Sequence, residues 1–472
     1  MPRPLAFISL PAAFLLAPAA ARAAEIDGAA LSAWWGVPFA GMLLSIALLP
    51  LFAPRLWHHH YGKVATAWAL AFLLPFALQH GAGAAAPALA HTAIAEYLPF
   101  VILLTTLYTV AGGIHVRGNF AGGPGFNTGL LALGAVLASV MGTTGASMLL
   151  IRPLIRANDD RPRNAHVIVF FIFVVANIGG SLTPLGDPPL FLGFLQGVEF
   201  SWTLRHLFGE TLGVTAALLV GFYVLDRRRY TTDGTPLRDP TPDTPRFAVE
   251  GAVNLPLLSA ILVLVLISGT WKPGIEFTLA GTRVGLPQVL RDVGLVGVTL
   301  LSLWLTPKAA HRGNEFSWGP MLEVAKLFAG IFVTIVPVLA MLQAGPAGAF
   351  APVVALVHGP DGEPLPLRYF WAAGLLSSVL DNAPTYLVFF NLAGGDAQQL
   401  MTEQSAVLAA VSAGAVFMGA NTYIGNAPNL MVKAVAEDRG VRMPGFFGYM
   451  AWSGAVLIPL FALCGLFAFS KE

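Results

Sequence analysis

Asn177-Ile-Gly-Gly-Ser-Leu-Thr-Pro-Leu-Gly-Asp-Pro-Pro-Leu190 is the stretch whose reading decides the fold. It follows an apolar run, His166 to Ala176, that reads as a membrane helix, and it runs into a further apolar turn, Phe191 to Leu195. Pro184, Pro188 and Pro189 remove backbone donors, and Gly179, Gly180 and Gly186 loosen the helix. The flanks are too short to be two separate spans. One span broken near mid-membrane accounts for both facts, with its opened backbone and Asp187 turned to protein or water rather than to lipid. A carboxylate at that depth is costly and marks an ion or proton site.

A second stretch repeats this one: Gly419-Ala-Asn-Thr-Tyr-Ile-Gly-Asn-Ala-Pro-Asn-Leu430. With Gly186 set on Gly425, Gly180 falls on Gly419, Thr183 on Thr422, Asp187 on Asn426 and Pro189 on Pro428. An interrupted apolar segment precedes each break, Val140-Met-Gly-Thr-Thr-Gly-Ala-Ser147 and Val379-Leu-Asp-Asn-Ala-Pro-Thr-Tyr386. Thr143 to Gly186 and Asn382 to Gly425 are both 43 positions. Equal spacing of two unusual features is the mark of an internal repeat, and matching discontinuous helices point to a transporter's binding site.

Composition sets the class. The 472 residues are 56% hydrophobic and 11% charged, against about 25% charged in soluble domains. A polytopic all-α membrane protein follows, with the lipid bilayer as its environment. The net charge of +1 gives no case for nucleic acid. The single Cys464 excludes a disulfide framework or a thiolate metal centre. No H-E-x-x-H or G-x-S-x-G motif is present, so an intramembrane enzyme is the weakest of the function classes.

The N-terminus reads as a signal peptide over 1–23, with Arg3, an apolar run from Leu5 to Leu16, and Ala21-Arg22-Ala23 before the cleavage point. A first membrane repeat is expected at 34–225, a polar cytoplasmic linker at 226–250 and a second repeat at 251–470. Each repeat reads as three spans, a hairpin (126–157 or 367–392), a broken span (165–197 or 404–436) and a last span. The Lys and Arg distribution selects re-entrant hairpins over full crossings. With the mature N-terminus outside, only Arg205, Lys272, Arg283, Arg368 and Lys471 fall in outer loops; the other loop cations, from Arg55 to Arg442, fall inside. The two repeats then have opposite orientation, and their hairpin tips meet mid-membrane from opposite sides. Trp57-His-His-His60 is expected in an inner loop, and Glu323 and Lys326 as a pair one turn apart.

The candidate site collects what the four interruptions carry. These are the hydroxyls of Thr143, Thr144, Ser147, Thr183, Thr385 and Thr422, the amides of Asn382, Asn421, Asn426 and Asn429, and the carboxylates of Asp187 and Asp381. Hard oxygen donors suit alkali cations, which makes Asp187 and Asp381 the Na⁺ candidates. Half-helix N-termini aimed at the same place suit an anion.

With Asp381-Asn-Ala-Pro-Thr385 in a hairpin and Asn177-Ile-Gly-Gly-Ser-Leu-Thr-Pro-Leu-Gly-Asp187 in a broken span, the chain resembles the ArsB/NhaD ion-transporter superfamily. That group includes NhaD-type sodium/proton antiporters, arsenite permeases and citrate or dicarboxylate transporters. The resemblance covers nearly the whole chain after the signal and implies the inverted-repeat fold, with substrate bound at the tips and breaks. One departure is Gly142-Thr-Thr-Gly145, where many relatives place an acidic or Asn-containing tip. The sequence therefore leads to a secondary sodium/proton antiporter working by alternating access, with a citrate-like di- or tricarboxylate transporter as the alternative. No cofactor is expected beyond transported Na⁺ and H⁺. A bacterial-type inner membrane is the expected location, and a homodimer is compatible with this reading.

Overall fold

Proline and glycine set most of the helix boundaries. The computed structural model describes residues 27–233 and 247–470, so the leader read at 1–23 lies outside the described residues. In the first half, α1 (Val37–Phe52) turns at Ala53 into α2 (Pro54–His80). Next, α3 (Ala82–His91) runs through one π-helical turn, Thr92–Tyr97, into α4 (Leu98–Gly112). After β1 (His115–Gly118) come α5 (Pro124–Met141), α6 (Thr143–Ala157), α7 (Ala165–Val174), α8 (Pro188–Leu195) and α9 (Trp202–Asp233).

The second half opens with β2 (Phe247–Glu250) and α10 (Asn254–Thr270). The hairpin β3 (Glu276–Leu279) and β4 (Thr282–Gly285) leads to α11 (Leu286–Leu305), α12 (Lys308–Gly313), α13 (Gly319–Gln343) and α14 (Ala351–Val357). The remaining helices are α15 (Pro366–Val379), α16 (Asn382–Leu392), α17 (Ala397–Thr402), α18 (Ser405–Met418), α19 (Ala427–Asp438) and α20 (Phe446–Ala468). Antiparallel pairing of β1 with β2, His115 opposite Glu250, ties the halves together beside the Arg117–Glu250 ion pair at 2.9 Å.

Eight helices among the described residues are long and apolar enough to cross a bilayer. Several turn large apolar side chains outward, among them Leu78 on α2, Val220 on α9, Leu300 on α11 and Phe467 on α20. Such a belt has no place in water and fits lipid. The protein is an all-α polytopic membrane protein. By contrast α7 and α18 are buried on all sides, as helices that are hydrophobic all round should be.

Two pairs of helices fold back on themselves. Gly142, at φ 82°, is the one-residue joint between α5 and α6. The far ends of that pair meet through reciprocal bonds between the amides of Asn127 and Asn158, at 2.8 and 2.9 Å. In the second half Asp381 joins α15 to α16, and Tyr369 Oη near the start donates to Leu392 O at the end (3.2 Å). The helix pairs span 124–157 and 366–392, within a few residues of the bounds expected for the hairpins, and α5 is by length alone sufficient to cross.

Each broken span is an α-helix, a 3₁₀ turn, irregular backbone and a second helix: α7, Ile178–Gly180 and α8, then α18, Gly419–Asn421 and α19. Each is fastened to its hairpin by the same bonds. Ser139 Oγ donates to Gly179 O and Ser378 Oγ to Met418 O. Thr183 Oγ1 donates to Ser139 O (2.5 Å), and Thr422 Oγ1 to Ser378 O (2.6 Å). Leu185 N and Ile424 N donate back to those hydroxyls, both at 3.2 Å. Every member of the first set lies 239 positions before its counterpart, as Asp187 does before Asn426.

Two expectations need correction. Trp57–His60 is not a loop but lies within α2. Pro54 starts that helix and no proline intervenes before Pro75, so a polar start does not stop it. The polar stretch from Asp226 is helical as far as Asp233, strand over Phe247–Glu250, and outside the described residues at 234–246. Lys326 places its Nζ 5.5 Å from the centre of the Tyr61 ring, a cation–π contact with the neighbouring helix.

Candidate functional site

Asp187 stands where a capping residue would stand, just before α8, with extended backbone (φ −142°, ψ 142°). Pro188 and Pro189 follow it and have no N–H, so the nearest donors that a cap would serve are missing. The carboxylate makes no capping bond. It accepts instead from Thr143 Oγ1 (2.9 Å), Asn382 Nδ2 (2.5 Å) and Asn426 Nδ2 (3.2 Å). One residue from each of the four interruptions therefore meets at one buried carboxylate, and two of the donors come from the other half of the chain.

Gly142 positions the first donor. Its positive φ lets Thr143 N reach Gly186 O at 2.8 Å, which sets the tip of the first hairpin against the first break. Asn426 is held from behind as well, since its amide also reaches Ala176 O and Asn177 Oδ1, both at 3.2 Å. Asn177 Nδ2 in turn donates to Asn429 Oδ1 (2.7 Å), and Asn429 Nδ2 to Gly419 O and Thr422 O (2.9 Å each). An amide ladder thus crosses between the two broken spans.

Asp381 behaves differently. It caps α16 by accepting from Ala383 N (3.1 Å), while Thr385 Oγ1 donates to Asp381 O (3.0 Å). Both carboxylates line one cavity of about 110 Å³, together with Thr143, Thr144 and Asn426. Its apolar wall includes Tyr108, Phe191 and Met321. Among the described residues, no Lys or Arg lines it.

The structure divides the expected site residues. Thr143, Thr144, Asp187, Asp381 and Asn426 reach the cavity, and Asn382 joins them through Asp187. Ser147 lies one turn along α6 from the tip, buried and without a hydrogen-bond partner for its hydroxyl; Asn382 Oδ1 is likewise unpartnered. Thr183, Thr422, Asn421 and Asn429 do not line the cavity. The Thr183 and Thr422 hydroxyls serve the hairpin backbone, and Asn421 Nδ2 donates to Ser378 Oγ (2.9 Å). Missing from the expected set are Ser139, Ser378 and Asn177. The two serines could have been found, because each lies 44 positions before its threonine.

A family model described as "Putative citrate transport" matches residues 28–469. The chain belongs to this family. Two relatives are similar to the chain over most of their length. A "46 kDa membrane protein" of Mycobacterium leprae (strain TN) is 24% identical over 343 residues, 72% of this chain and 75% of that protein. An "Uncharacterized transporter" of a Synechocystis species is 24% identical over 366 residues, 72% of this chain and 76% of that protein. This member of the citrate-transport family is accordingly a multi-pass membrane transporter.

Beside the cavity, an ionic clamp joins the two halves. Glu315, in the loop before α13, accepts from Arg152 of α6 (3.1 Å) and Arg439 after α19 (2.9 Å). The hydrogen bond from Arg152 holds its carboxyl below the usual range, with help from Arg439. A depressed carboxyl gives stability that is fully present above its ordinary value, about pH 4.3, and lost as pH falls through the lower folded value. The melting-temperature difference between wild type and Glu315→Gln should therefore be constant at neutral pH and shrink below about pH 4. It should also be small, because the acid is exposed. A difference that grows on acidification would contradict this assignment.

Proposed function

We propose that this transporter carries citrate-like di- or tricarboxylates by secondary active transport, with H⁺ or Na⁺ as the coupling ion. The observation that carries the reading is the convergence of four helix N-termini, those of α6, α8, α16 and α19, on one cavity. A helix N-terminus presents roughly half a positive charge. Several of the N–H groups here are absent or already bonded, because α8 opens on Pro188 and Pro189, Thr143 N donates to Gly186 O and Ala383 N to Asp381, so it is the summed positive field that a carboxylate ligand can use without any Lys or Arg. Asp187 and Asp381 would repel that ligand if both stayed ionised and bare. Cations taken up with the substrate remove the repulsion, and protons on the carboxylates or Na⁺ among the oxygen donors would serve. Unpartnered Asn382 Oδ1 and Ser147 Oγ add to the oxygens available for a hard cation. Membership of the citrate-transport family supports the carboxylate over a cation-only cargo.

Alternating access is the natural mode for two inverted-topology repeats. The hydrogen-bond sets repeated 239 positions apart support that reading of the halves, each half supplying a hairpin and a broken span. Sodium/proton exchange is the second reading, favoured by the cluster of oxygen donors at Asp187. The inner membrane of a bacterial-type cell fits either.

Reconstituted protein separates them. Labelled citrate should accumulate in proteoliposomes under an imposed Na⁺ or proton gradient, and collapse of that gradient should stop it. Cation-induced dequenching of a trapped pH dye, with no citrate uptake under any gradient, would replace the carboxylate reading with exchange.

A further inference from the structure

A second cavity, of about 610 Å³, is separate from the transport site. It lies where the ends of α6, α9 and α19 meet. Arg161, Arg163, Arg229, Arg439 and Arg442 line it, and among the described residues Asp159 is the one acidic residue of its lining. Nothing in the transport reading uses these arginines. A concentration of guanidinium groups in a cavity is unfavourable unless an anion answers it.

The internal acids answer only part. Arg161 is buried; it spends Nη2 on Asp226 (2.5 Å) and Nη1 on Asn158 (3.0 Å), and its Nε has no partner. Asp226 is already shared with His166 and Asn127. Arg439 pairs with Glu315 outside the cavity. Among the described residues, Arg229 and Arg442 have no carboxylate partner. Arg229 lies over the Trp452 ring at 5.6 Å, with Nη1 3.4 Å from His166 Nδ1. That stacking leaves the guanidinium edge available, and a planar fork of donors matches a phosphate oxygen pair.

The surroundings suggest where the phosphate comes from. Trp452 belongs to the first turns of α20, where Phe447 (82% exposed) and Met450 (40%) face outward. Arg227 and Arg228 flank Arg229 on the exposed surface of α9. Arginines behind an apolar, aromatic rim at the ends of membrane helices are what a lipid headgroup meets. We propose that this cavity binds a phosphate group, supplied by the headgroup of an anionic phospholipid.

The test uses the full-length protein, delipidated in detergent. It is titrated with phosphatidylglycerol, phosphatidylcholine and inorganic phosphate, with native mass spectrometry and thermal melting as readouts. Phosphatidylglycerol should bind at least tenfold more tightly than phosphatidylcholine. The double variant Arg229→Gln, Arg442→Gln should lose roughly tenfold or more of that affinity, as two surface cations would contribute. Arg442→Gln alone, at an exposed position, should lose part of it and keeps the test open should the double variant fold poorly. Arg312→Gln, an exposed cation elsewhere on the chain, should lose none. Binding of inorganic phosphate that depends on the same arginines, without preference for phosphatidylglycerol, would keep the phosphate site and move its source to the soluble phase. Wild-type binding of both ligands by the Arg442 and double variants, or an equal loss in Arg312→Gln, would overturn the proposal.

Discussion

Asp187→Asn should cut transport by at least a hundredfold while leaving the protein inserted and folded. The carboxylate accepts three hydrogen bonds, from Thr143, Asn382 and Asn426. An asparagine in its place offers one acceptor oxygen, and its own NH₂ then opposes amide donors. Buried donors left unpaired cost about 1–3 kcal/mol each. Loss of one or two is tolerable in so large an apolar core, but it separates the hairpin tips from the breaks. The charge that a coupling cation would neutralise is also gone. Both effects act on substrate binding, whichever ion is coupled. Uptake into proteoliposomes measures the lost transport, and size-exclusion profile with thermal melting checks that the protein remains folded. Normal uptake by Asp187→Asn would remove the carboxylate from the mechanism. Asp381→Asn should do less damage to the architecture, because an asparagine can still cap α16; a coupling defect there would show that Asp381 has a role beyond capping.

Gly186→Ala is expected to disrupt the first broken span severely. A Cβ at Gly186 would stand 2.1 Å from Gly180 O, with the Gly180 carbonyl carbon and Cα within 3.0 Å. The obstacle is backbone on the other limb of the break, so no side chain can swing away. Gly186 O meanwhile accepts from Thr143 N, so a shift of residue 186 also pulls the first hairpin tip. Overpacking typically costs 1–3 kcal/mol, and a backbone clash should lie at or above about 3 kcal/mol. Little monodisperse protein should be recovered. Gly221→Ala on α9 is the matched control, because nothing lies within 4 Å of its added carbon. Equal yields and melting temperatures for the two variants would refute the close-contact account.

The helix interruptions and turns are legible because their signals are local. Clustered Pro and Gly in an apolar run admit few backbones, and the equal spacing of Thr143–Gly186 and Asn382–Gly425 tied the four together. What the sequence did not show was the backbone duty of these side chains. Thr183 and Thr422 read as candidate ion ligands from their spacing; their hydroxyls also donate to the Ser139 and Ser378 carbonyls of the paired helices. Asn177 lay in the deciding stretch and was passed over, since its partner Asn429 is 252 positions away and no local pattern announces such a bond. The apolar wall of the cavity, with Tyr108 on α4 and Met321 on α13, could not be read either. A helix face against a small cavity has the same composition as one against lipid. His58–His60 misled in the opposite direction, since a polar cluster at a helix start resembles a loop when only hydropathy is weighed.

The dependence of Asp187 on distant amides also bears on how the protein is made. Asn382 and Asn426 lie 195 and 239 positions after Asp187. At roughly 5–20 residues per second of synthesis, the two donors leave the ribosome about 10–50 s behind the acid they serve. Throughout that interval the N-terminal portion carries Asp187 with Thr143 as its one side-chain donor from the site, so water or a bound proton has to make up the difference. The site is therefore completed only when the C-terminal portion arrives, and its assembly is among the last events of synthesis.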